Sequence, residues 1–494
     1  MSETPETPKK TPPAETPEPQ TSRIGVDSWV AESEARRSRT PAAVLGRGLE
    51  RTPDAVKLLA FVGLASSVPF WTNEGDLYIF GTLTLLYATL GLGLNVVVGL
   101  AGLLDLGYIA SAGMGAYTYA ELSSPRFGLH WPAEATIPIA MAVAALVGAF
   151  LGFASRRLLG DYYAIVTLFF AQAFLFFTNT TNPGNFTGGP NGLPQLDPIT
   201  FFGYKLTSTK QIYYFLLIVM ALLAVALYFA NKSRTGRAWR AQREDPLAAE
   251  VMSIPVNRVK ILAAVFGAAI AGLCGAILAA IEGAAVSSDY GVPFLIIIYA
   301  IVILGGFGSI AGVFVGATII NFTLQFLAPQ NDHPEVKRWL FYGTIVLFVM
   351  AIKPVIRPAV VLAATVGFGF AVHGIVAATW GHAWTSGVPD SGGAWIARWA
   401  VIPRLDPVTG LGHGNFNNCV YIGLVVAIVA TASLKGWWRV AALVPTLYLT
   451  VLAWENMLAQ NGGITAYLLF GAMLIGLMAW RPQGLLGSAR VEIV

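Results

Sequence analysis

The sequence predicts an all-α, polytopic integral membrane protein with about 10–14 transmembrane or re-entrant helices and both termini in the cytoplasm. Of its 494 residues, 55% are hydrophobic and only 12% are charged, whereas soluble domains carry about 25% charged residues. About fourteen apolar segments follow one another, and several are shorter than the roughly 17–25 residues that a straight span needs. If the N-terminus is cytoplasmic and the segments alternate, most of the 31 Lys and Arg residues lie inside, as the positive-inside rule requires.

Residues 1–53 differ in kind from the rest of the chain. They are rich in Pro, Thr and Glu and poor in apolar residues, so they cannot bury enough surface to offset the entropy of ordering. We expect a disordered cytoplasmic tail whose basic last part, residues 36–51, lies against the anionic lipids of the inner leaflet. An apolar stretch does not directly follow a basic start here, so we expect no signal peptide.

The predicted core, residues 54–354, contains a segment very rich in glycine at residues 91–117. Small residues let helices approach closely, and polar groups at membrane depth are costly and usually functional. Two interpretations are open: the segment lines a pathway through the protein, or its glycines only pack helices together while Asp105 caps a helix at the inner turn. The candidate pathway residues are Asn95, Gly99, Gly102, Asp105, Gly107 and Gly113.

Two polar loops, residues 179–211 and 381–417, are predicted on the outer side. The first contains a glycine-rich cluster, Gly188, Gly189, Asn191 and Gly192. This cluster is either an ordinary multi-turn loop or an external surface that meets a partner delivering a ligand. A further glycine-rich break at residues 305–312 interrupts an apolar pair around 293–328. The break predicts discontinuous or re-entrant helices, which membranes tolerate only inside protein or beside a water-filled cavity.

The longest strongly charged segment of the membrane part covers residues 231–260. Its five leading basic residues are Lys232, Arg234, Arg237, Arg240 and Arg243. Glu244, Asp245 and a short helix-forming run follow. Each Arg or Asp at the centre of a span costs about 2.5–3.5 kcal/mol to insert. The segment therefore predicts an exposed amphipathic helix on the cytoplasmic surface that docks another protein. The alternative is a solvated basic loop that only orients the chain.

Several missing motifs exclude classes of enzyme. The sequence has no G-x-x-x-x-G-K-[ST], H-E-x-x-H or G-x-S-x-G motif, so we do not expect a P-loop ATPase, a zinc hydrolase or a serine hydrolase. Its two cysteines, Cys274 and Cys419, fall in or beside apolar spans and are expected to be buried thiols. We expect no catalytic residue, cofactor, metal site or nucleic-acid contact. The chain is best interpreted as a transport pore driven from outside itself.

Six motifs, taken in order, resemble the M-type permease subunit of branched-chain amino acid ABC importers. They lie at residues 91–117, 160–168, 187–193, 236–260, 304–316 and 481–487. Together they cover residues 78–354 and the C-terminus. The resemblance implies a multi-pass permease of the inner (plasma) membrane. It also implies a homologous second permease subunit, two ABC ATPase subunits and an extracytoplasmic substrate-binding protein as partners.

Under this resemblance, the charged segment is the coupling loop through which the ATPases drive alternating access. The residues that it implies for coupling are Arg237, Arg243, Glu244, Asp245, Ala248, Ala249 and Glu250. The chain itself is then no enzyme, and it translocates Leu, Ile, Val or related amino acids. Two alternatives stay open. One is an importer of urea or short amides, whose permeases are closely similar, and the other is an ATP-independent secondary transporter or channel.

The chain departs from the family pattern at three places. Asp105 stands where the family has a small polar residue, and Ser253 replaces the usual Gly of the coupling loop, which is expected to stiffen that turn. An insertion at residues 355–465 adds membrane helices and the outer loop 381–417. We expect this insertion to be peripheral to transport, with aromatic residues such as Trp399 anchoring it at the membrane interface. The alternative is that its outer loop is a docking platform for another membrane partner or for the binding protein.

The insertion makes the end of the core ambiguous. The helix that ends at Pro354 has the pattern of a closing helix, and this pattern recurs between Gly471 and Pro482. Only the second copy carries the family's C-terminal motif. Residues 466–494 are therefore assigned as closing helix and cytoplasmic C-terminus, while either copy stays a candidate for closing the core.

Overall fold

A computed structural model describes most of the membrane part of the chain. The described residues are 54–124, 128–154, 160–180, 186–201, 203–327, 342–343, 345–346, 356–380, 384–385, 398–401, 413–434, 436–455, 471 and 484–486. They are almost entirely helical, and six of their helices are long and apolar enough to cross a membrane. The prediction of an all-α, polytopic membrane protein is therefore confirmed, while the cytoplasmic side of both termini stays a prediction.

The helices of the described residues are numbered here in chain order. They are α1 (Asp54–Ser67), α2 (Glu74–Leu100), α3 (Tyr108–Ser123), α4 (Ala133–Ala154), α5 (Gly160–Asn179), α6 (Thr209–Lys232), α7 (Arg234–Glu244), α8 (Pro246–Val251), α9 (Val256–Glu282), α10 (Val292–Gly305), α11 (Ile310–Leu327), α12 (Ile356–Trp380), α13 (His413–Ser433) and α14 (Trp437–Ala453). The strands have two residues each and are β1 (Leu193–Pro194), β2 (Thr200–Phe201), β3 (Tyr204–Lys205) and β4 (Ala284–Ala285). They pair as β1 with β4 and β2 with β3, both antiparallel.

The centre of the described bundle is α9, which packs against α3 and α4. Small residues make this packing close: a Cβ atom at Gly275 would overlap the carbonyl oxygen of Ala112 in α3. Helices in lipid associate through such contacts, because the surrounding tails supply no hydrophobic force between them. Cys274 is buried in this centre as expected, whereas Cys419 of α13 is exposed. The prediction of two buried thiols is therefore wrong for Cys419.

Helix α2 contains two π-helical stretches, Leu77–Thr82 and Asn95–Leu100. Such stretches inside α-helices are frequent at functional sites. The first stretch is fixed by Asn321 of α11, whose side-chain amide donates to the Ile79 carbonyl and to the Thr84 hydroxyl, both at 2.8 Å. The second stretch ends α2 and opens the glycine-rich turn that leads to α3.

The predicted break at residues 305–312 is confirmed, since α10 ends at Gly305 and α11 begins at Ile310. Gly306 and Gly308 have φ values of 111° and 81°, a region that favours glycine. A Cβ atom at Gly305 would overlap the Gly312 carbonyl oxygen, so the two helices touch through their backbones. With 14 residues, α10 is about 21 Å long, which is shorter than the roughly 30 Å hydrocarbon layer.

The C-terminal motif lies against this break. The backbone amides of Leu485 and Leu486 donate to the carbonyls of Leu304 and Gly305, at 2.9 and 3.0 Å. The motif therefore contacts the core directly, although it follows the insertion in sequence. Apart from 342–343, 345–346 and 471, both candidate closing helices lie outside the described residues, as does the tail 1–53, so the proposed domain boundaries stay predictions.

The described helices of the insertion, α12, α13 and α14, pack together around a buried hydrophobic cluster. Trp399 is buried there: its indole nitrogen donates to the Val366 carbonyl at 2.8 Å, and its ring centroid is 5.3 Å from that of Tyr448. The prediction that Trp399 anchors the insertion at the membrane interface is therefore wrong, because the side chain packs between helices. The cluster reaches the end of the core through Tyr342, whose hydroxyl donates to the buried Glu455 carboxylate at 2.6 Å.

Candidate coupling site and solute pathway

The second π-helical stretch of α2 places Asn95 and Gly99 against the break between α10 and α11. The Gly308 amide donates to Asn95 Oδ1 at 2.7 Å. A Cβ atom at Gly99 would overlap Asn95 Oδ1 and lie 2.7 Å from the Gly308 nitrogen. Any side chain at residue 99 would therefore disturb the hydrogen bond that joins the two elements.

The other candidate pathway glycines are also sites of close approach. Gly102 has φ 72°, and a Cβ atom there would lie 2.8 Å from Cγ of Arg243. A Cβ atom at Gly107 would lie 2.7 Å from the Thr167 carbonyl oxygen, and one at Gly113 would overlap the ring of Phe174. Among the six candidates, Gly102 alone is exposed. The structure thus brings Asn95, Gly99 and Gly102 together, whereas Gly107 and Gly113 pack against α5.

Asp105 is buried in the turn between α2 and α3. Its carboxylate accepts a hydrogen bond from the Gly107 amide at 2.9 Å, and its carbonyl accepts one from the Tyr299 hydroxyl at 2.7 Å. The N-cap residue of α3 is Gly107 and not Asp105, so no side chain caps this helix. The helix-cap interpretation of Asp105 is therefore wrong in detail, since its carboxylate stabilises the turn that precedes the cap.

The charged segment folds as two helices, α7 and α8, and not as one exposed amphipathic helix. Gly236, Trp239 and Gln242 are buried at a spacing of three residues along α7. The Trp239 indole donates to the Val259 carbonyl at 3.0 Å, and the Gln242 amide donates to the Ala101 carbonyl at 3.3 Å. One face of α7 is thus buried in the protein and the other is exposed, so the segment is amphipathic as predicted but is divided into two helices.

Arg243 follows this embedded face and turns inward. Its guanidinium donates to the carbonyl of Gly99 and lies 6.0 Å from the ring centroid of Phe307 in the break. Arg237, Glu244, Asp245, Ala248 and Glu250 are exposed, and Ala249 is buried. Arg243 and Ala249 therefore differ from the other predicted coupling residues, because they are not exposed on the surface.

Helix α8 presents an apolar ridge that the sequence analysis missed. Asp245 begins the helix by accepting hydrogen bonds from the amides of Leu247 and Ala248, at 2.9 and 3.0 Å. Leu247, Val251 and Met252 then stay 74%, 84% and 76% exposed. The ridge has a signal in the sequence, because apolar residues at 247, 251 and 252 have the spacing of one helical face. Contiguous exposed apolar side chains indicate an interaction surface.

The turn after α8 contains Ser253, which has φ 64°. A left-handed conformation is strained for a residue with a Cβ atom and suits glycine. Ser253, which stands where the resemblance implies a glycine, therefore lies at a position where the backbone favours glycine.

The glycine cluster of the first outer loop is docked on the end of α9. Gly188, Gly189 and Gly192 have φ values of 70°, 62° and 64°, while Asn191 is exposed. A Cβ atom at Gly192 would overlap the Ala285 carbonyl oxygen, at the pairing of β1 with β4. The loop is thus fixed to the protein and is more than an independent multi-turn connection.

A cavity of about 360 Å³ lies beside this loop, between α5 and the start of α10. Polar side chains line it, together with Pro190 and the first residues of α10. They are Gln172, Asn179, Ser287 and Ser288. The volume falls within the roughly 300–1,000 Å³ of small-molecule sites. No group of three or more metal-ligating side chains occurs within the described part of the chain.

Comparison with known proteins identifies the core. The family described as "Branched-chain amino acid transport system / permease component" matches residues 78–350. The chain belongs to this family. The permease is 35% identical over 323 residues to the high-affinity branched-chain amino acid transport system permease protein LivM of Escherichia coli (strain K12), which covers 60% of this chain and 73% of LivM. It is 28% identical over 196 residues to LivH of the same organism, covering 40% of this chain and 62% of LivH. No solved structure matches it.

The extent of the match separates the two parts of the permease. The broken helices, α7, α8 and the outer loop all lie within residues 78–350, whereas α12, α13 and α14 lie beyond them. The chain is therefore a multi-pass transport permease and not an enzyme, and its family core carries every candidate site residue.

Proposed function

We propose that this permease is one membrane subunit of an ATP-driven ABC importer for branched-chain amino acids, working by alternating access in the inner membrane. The observation that carries the proposal is the family match over residues 78–350, combined with relatives named as branched-chain amino acid permeases. A second, homologous permease completes the pathway, two ATPase subunits bind below, and an extracytoplasmic binding protein delivers the solute.

The ridge of α8 supports the proposed ATPase contact. Leu247, Val251 and Met252 are apolar and exposed next to the charged residues Glu244 and Glu250. A small apolar centre with a charged rim is the usual composition of a protein interface. Trp239 and Gln242 bond α7 to backbone carbonyls of the core, so the ridge follows directly on a helix that is joined to the membrane part.

The outer cavity is the proposed first position of the solute. It lies beside the loop that we propose meets the binding protein. Its lining is mixed: Gln172 and Asn179 can bond the charged ends of an amino acid, while Leu175 and Val292 offer apolar contacts to its side chain. Beyond it, we propose that the glycine-rich segment lies along the pathway, with exposed Gly102 facing it and with Asn95 and Gly99 supporting its wall. Ser288→Trp would fill the cavity, so we expect loss of uptake while the complex still assembles and hydrolyses ATP.

The test of the function uses the full chain. Co-expression with the candidate second permease and ATPases, followed by affinity purification, establishes whether they form one complex. Reconstitution into proteoliposomes with the binding protein then gives ATP-dependent uptake of leucine, isoleucine and valine. Uptake of urea in their place would support the alternative importer class. Uptake that needs neither ATP nor a copurifying ATPase would contradict the ABC mechanism.

A further inference from the structure

The inner end of α2 is capped by side chains of α7. The last carbonyls of a helix have no partner within it and carry partial negative charge. Two such carbonyls are satisfied here from α7: Arg243 donates to Gly99 and Gln242 donates to Ala101. Gly102 makes the approach possible, because its missing side chain leaves room for Cγ of Arg243.

The same point is bonded to the break between α10 and α11. Gly99 packs on the hydrogen bond between Asn95 and the Gly308 amide. The Arg243 guanidinium lies over Phe307 of that break. The guanidinium is therefore bonded to the end of α2 and lies near the α10–α11 break. It belongs to the helix next to the proposed ATPase-docking ridge.

We propose that Arg243 is the positioning residue that carries motion of α7 and α8 to the inner end of α2 and to the α10–α11 break. This inference rests on the proposed ATP-driven function. A charge-assisted hydrogen bond to a carbonyl is strong and directional, so displacement of α7 pulls on the Gly99 carbonyl. Neither of the two elements that Arg243 approaches is a continuous α-helix. The end of α2 is a π-helical stretch, and α10 and α11 are separated by a glycine break. Both can rearrange without breaking an intact helical ladder.

Arg240 supplies a matched control on the same helix. Its guanidinium donates to the Asn231 side chain at 2.6 Å, at the exposed end of α6 and α7. Arg240→Met removes the same charge and the same number of donors as Arg243→Met, but it leaves the contact with Gly99 intact. Arg243→Lys keeps a charge and one donor that can reach a carbonyl.

The measurement is solute uptake per ATP hydrolysed by the complete reconstituted complex. For Arg243→Met we expect this ratio to fall about tenfold, on the scale of one charge-assisted hydrogen bond, while ATP hydrolysis continues. Arg243→Lys should recover part of the ratio, and Arg240→Met should match the unaltered complex. Equal ratios for Arg243→Met and Arg240→Met would overturn the inference.

A second variant decides the matter if Arg243→Met does not assemble. Gly102→Ala keeps the charge but pushes against Cγ of Arg243, so it should also lower the ratio. An assembled Gly102→Ala complex with normal uptake per ATP would overturn the inference. An unaltered complex that hydrolyses ATP without any solute uptake would instead contradict the proposed function.

Discussion

Replacing Gly99 by alanine tests the contact between α2 and the α10–α11 break. The added methyl group would overlap Asn95 Oδ1 and lie 2.7 Å from the Gly308 nitrogen. Leaving those buried polar groups unpaired costs about 1–3 kcal/mol, and overpacking costs about 1–3 kcal/mol more. The better helix propensity of alanine returns about 1 kcal/mol. We therefore expect the free energy of unfolding to fall by about 1–5 kcal/mol.

Gly75→Ala is the control within the same helix. No heavy atom lies within 4 Å of a Cβ atom at Gly75, so this variant gains helix propensity and meets no clash. Denaturant unfolding in mixed micelles, followed by tryptophan fluorescence, compares the two variants. Asn95→Ala removes the oxygen that the new methyl group meets, so Gly99→Ala should cost about 0.5–3 kcal/mol less in that background. Equal stability of the Gly99→Ala and Gly75→Ala proteins would refute the assigned contact.

Three further predictions concern coupling, the Ser253 turn and the insertion. Changing Glu244, Asp245 and Glu250 to Lys reverses the rim of the docking ridge, so ATP-driven uptake should be lost while membrane insertion, measured by fractionation, is kept. Ser253→Gly should raise the free energy of unfolding by about 1 kcal/mol, because φ there is 64°; a loss of stability would contradict the left-handed assignment. Removing residues 355–480 should leave a protein that inserts and retains some uptake, whereas an assembled complex without uptake would place the extra helices in the transport core.

The sequence predicts what depends on composition and on glycine placement. An apolar run interrupted by several glycines has few structures other than a broken hairpin, and the α10–α11 break is found there. The contact of the Arg243 side chain with the Gly99 carbonyl could not be predicted in the same way. The position of this side chain is set by Gly102, which is distant in sequence, and by an orphan carbonyl at the end of another helix. The embedded face of α7 did leave a local signal, because Gly236, Trp239 and Gln242 recur every three residues.

The site residues show why one glycine-rich segment supports two interpretations. Gly99 and Gly102 both lie at sites of close approach, and the atoms that approach them belong to the protein. Gly99 makes room for the Asn95–Gly308 hydrogen bond, and Gly102 makes room for Arg243. Spacing alone therefore cannot separate glycines that pack protein elements together from glycines that line a route.

The C-terminal motif bears on the ambiguity of the closing helix. Leu485 and Leu486 bond to the carbonyls at the end of α10, beside the break that Arg243 approaches. The terminal segment thus contacts the end of α10, although the insertion separates it from the family core in sequence. An insertion at this place must return the chain to the same side of the core, since the terminal motif has to reach Leu304 and Gly305. The described helices of the insertion satisfy this constraint while packing around an interior of their own, which contains Trp399 and Tyr448.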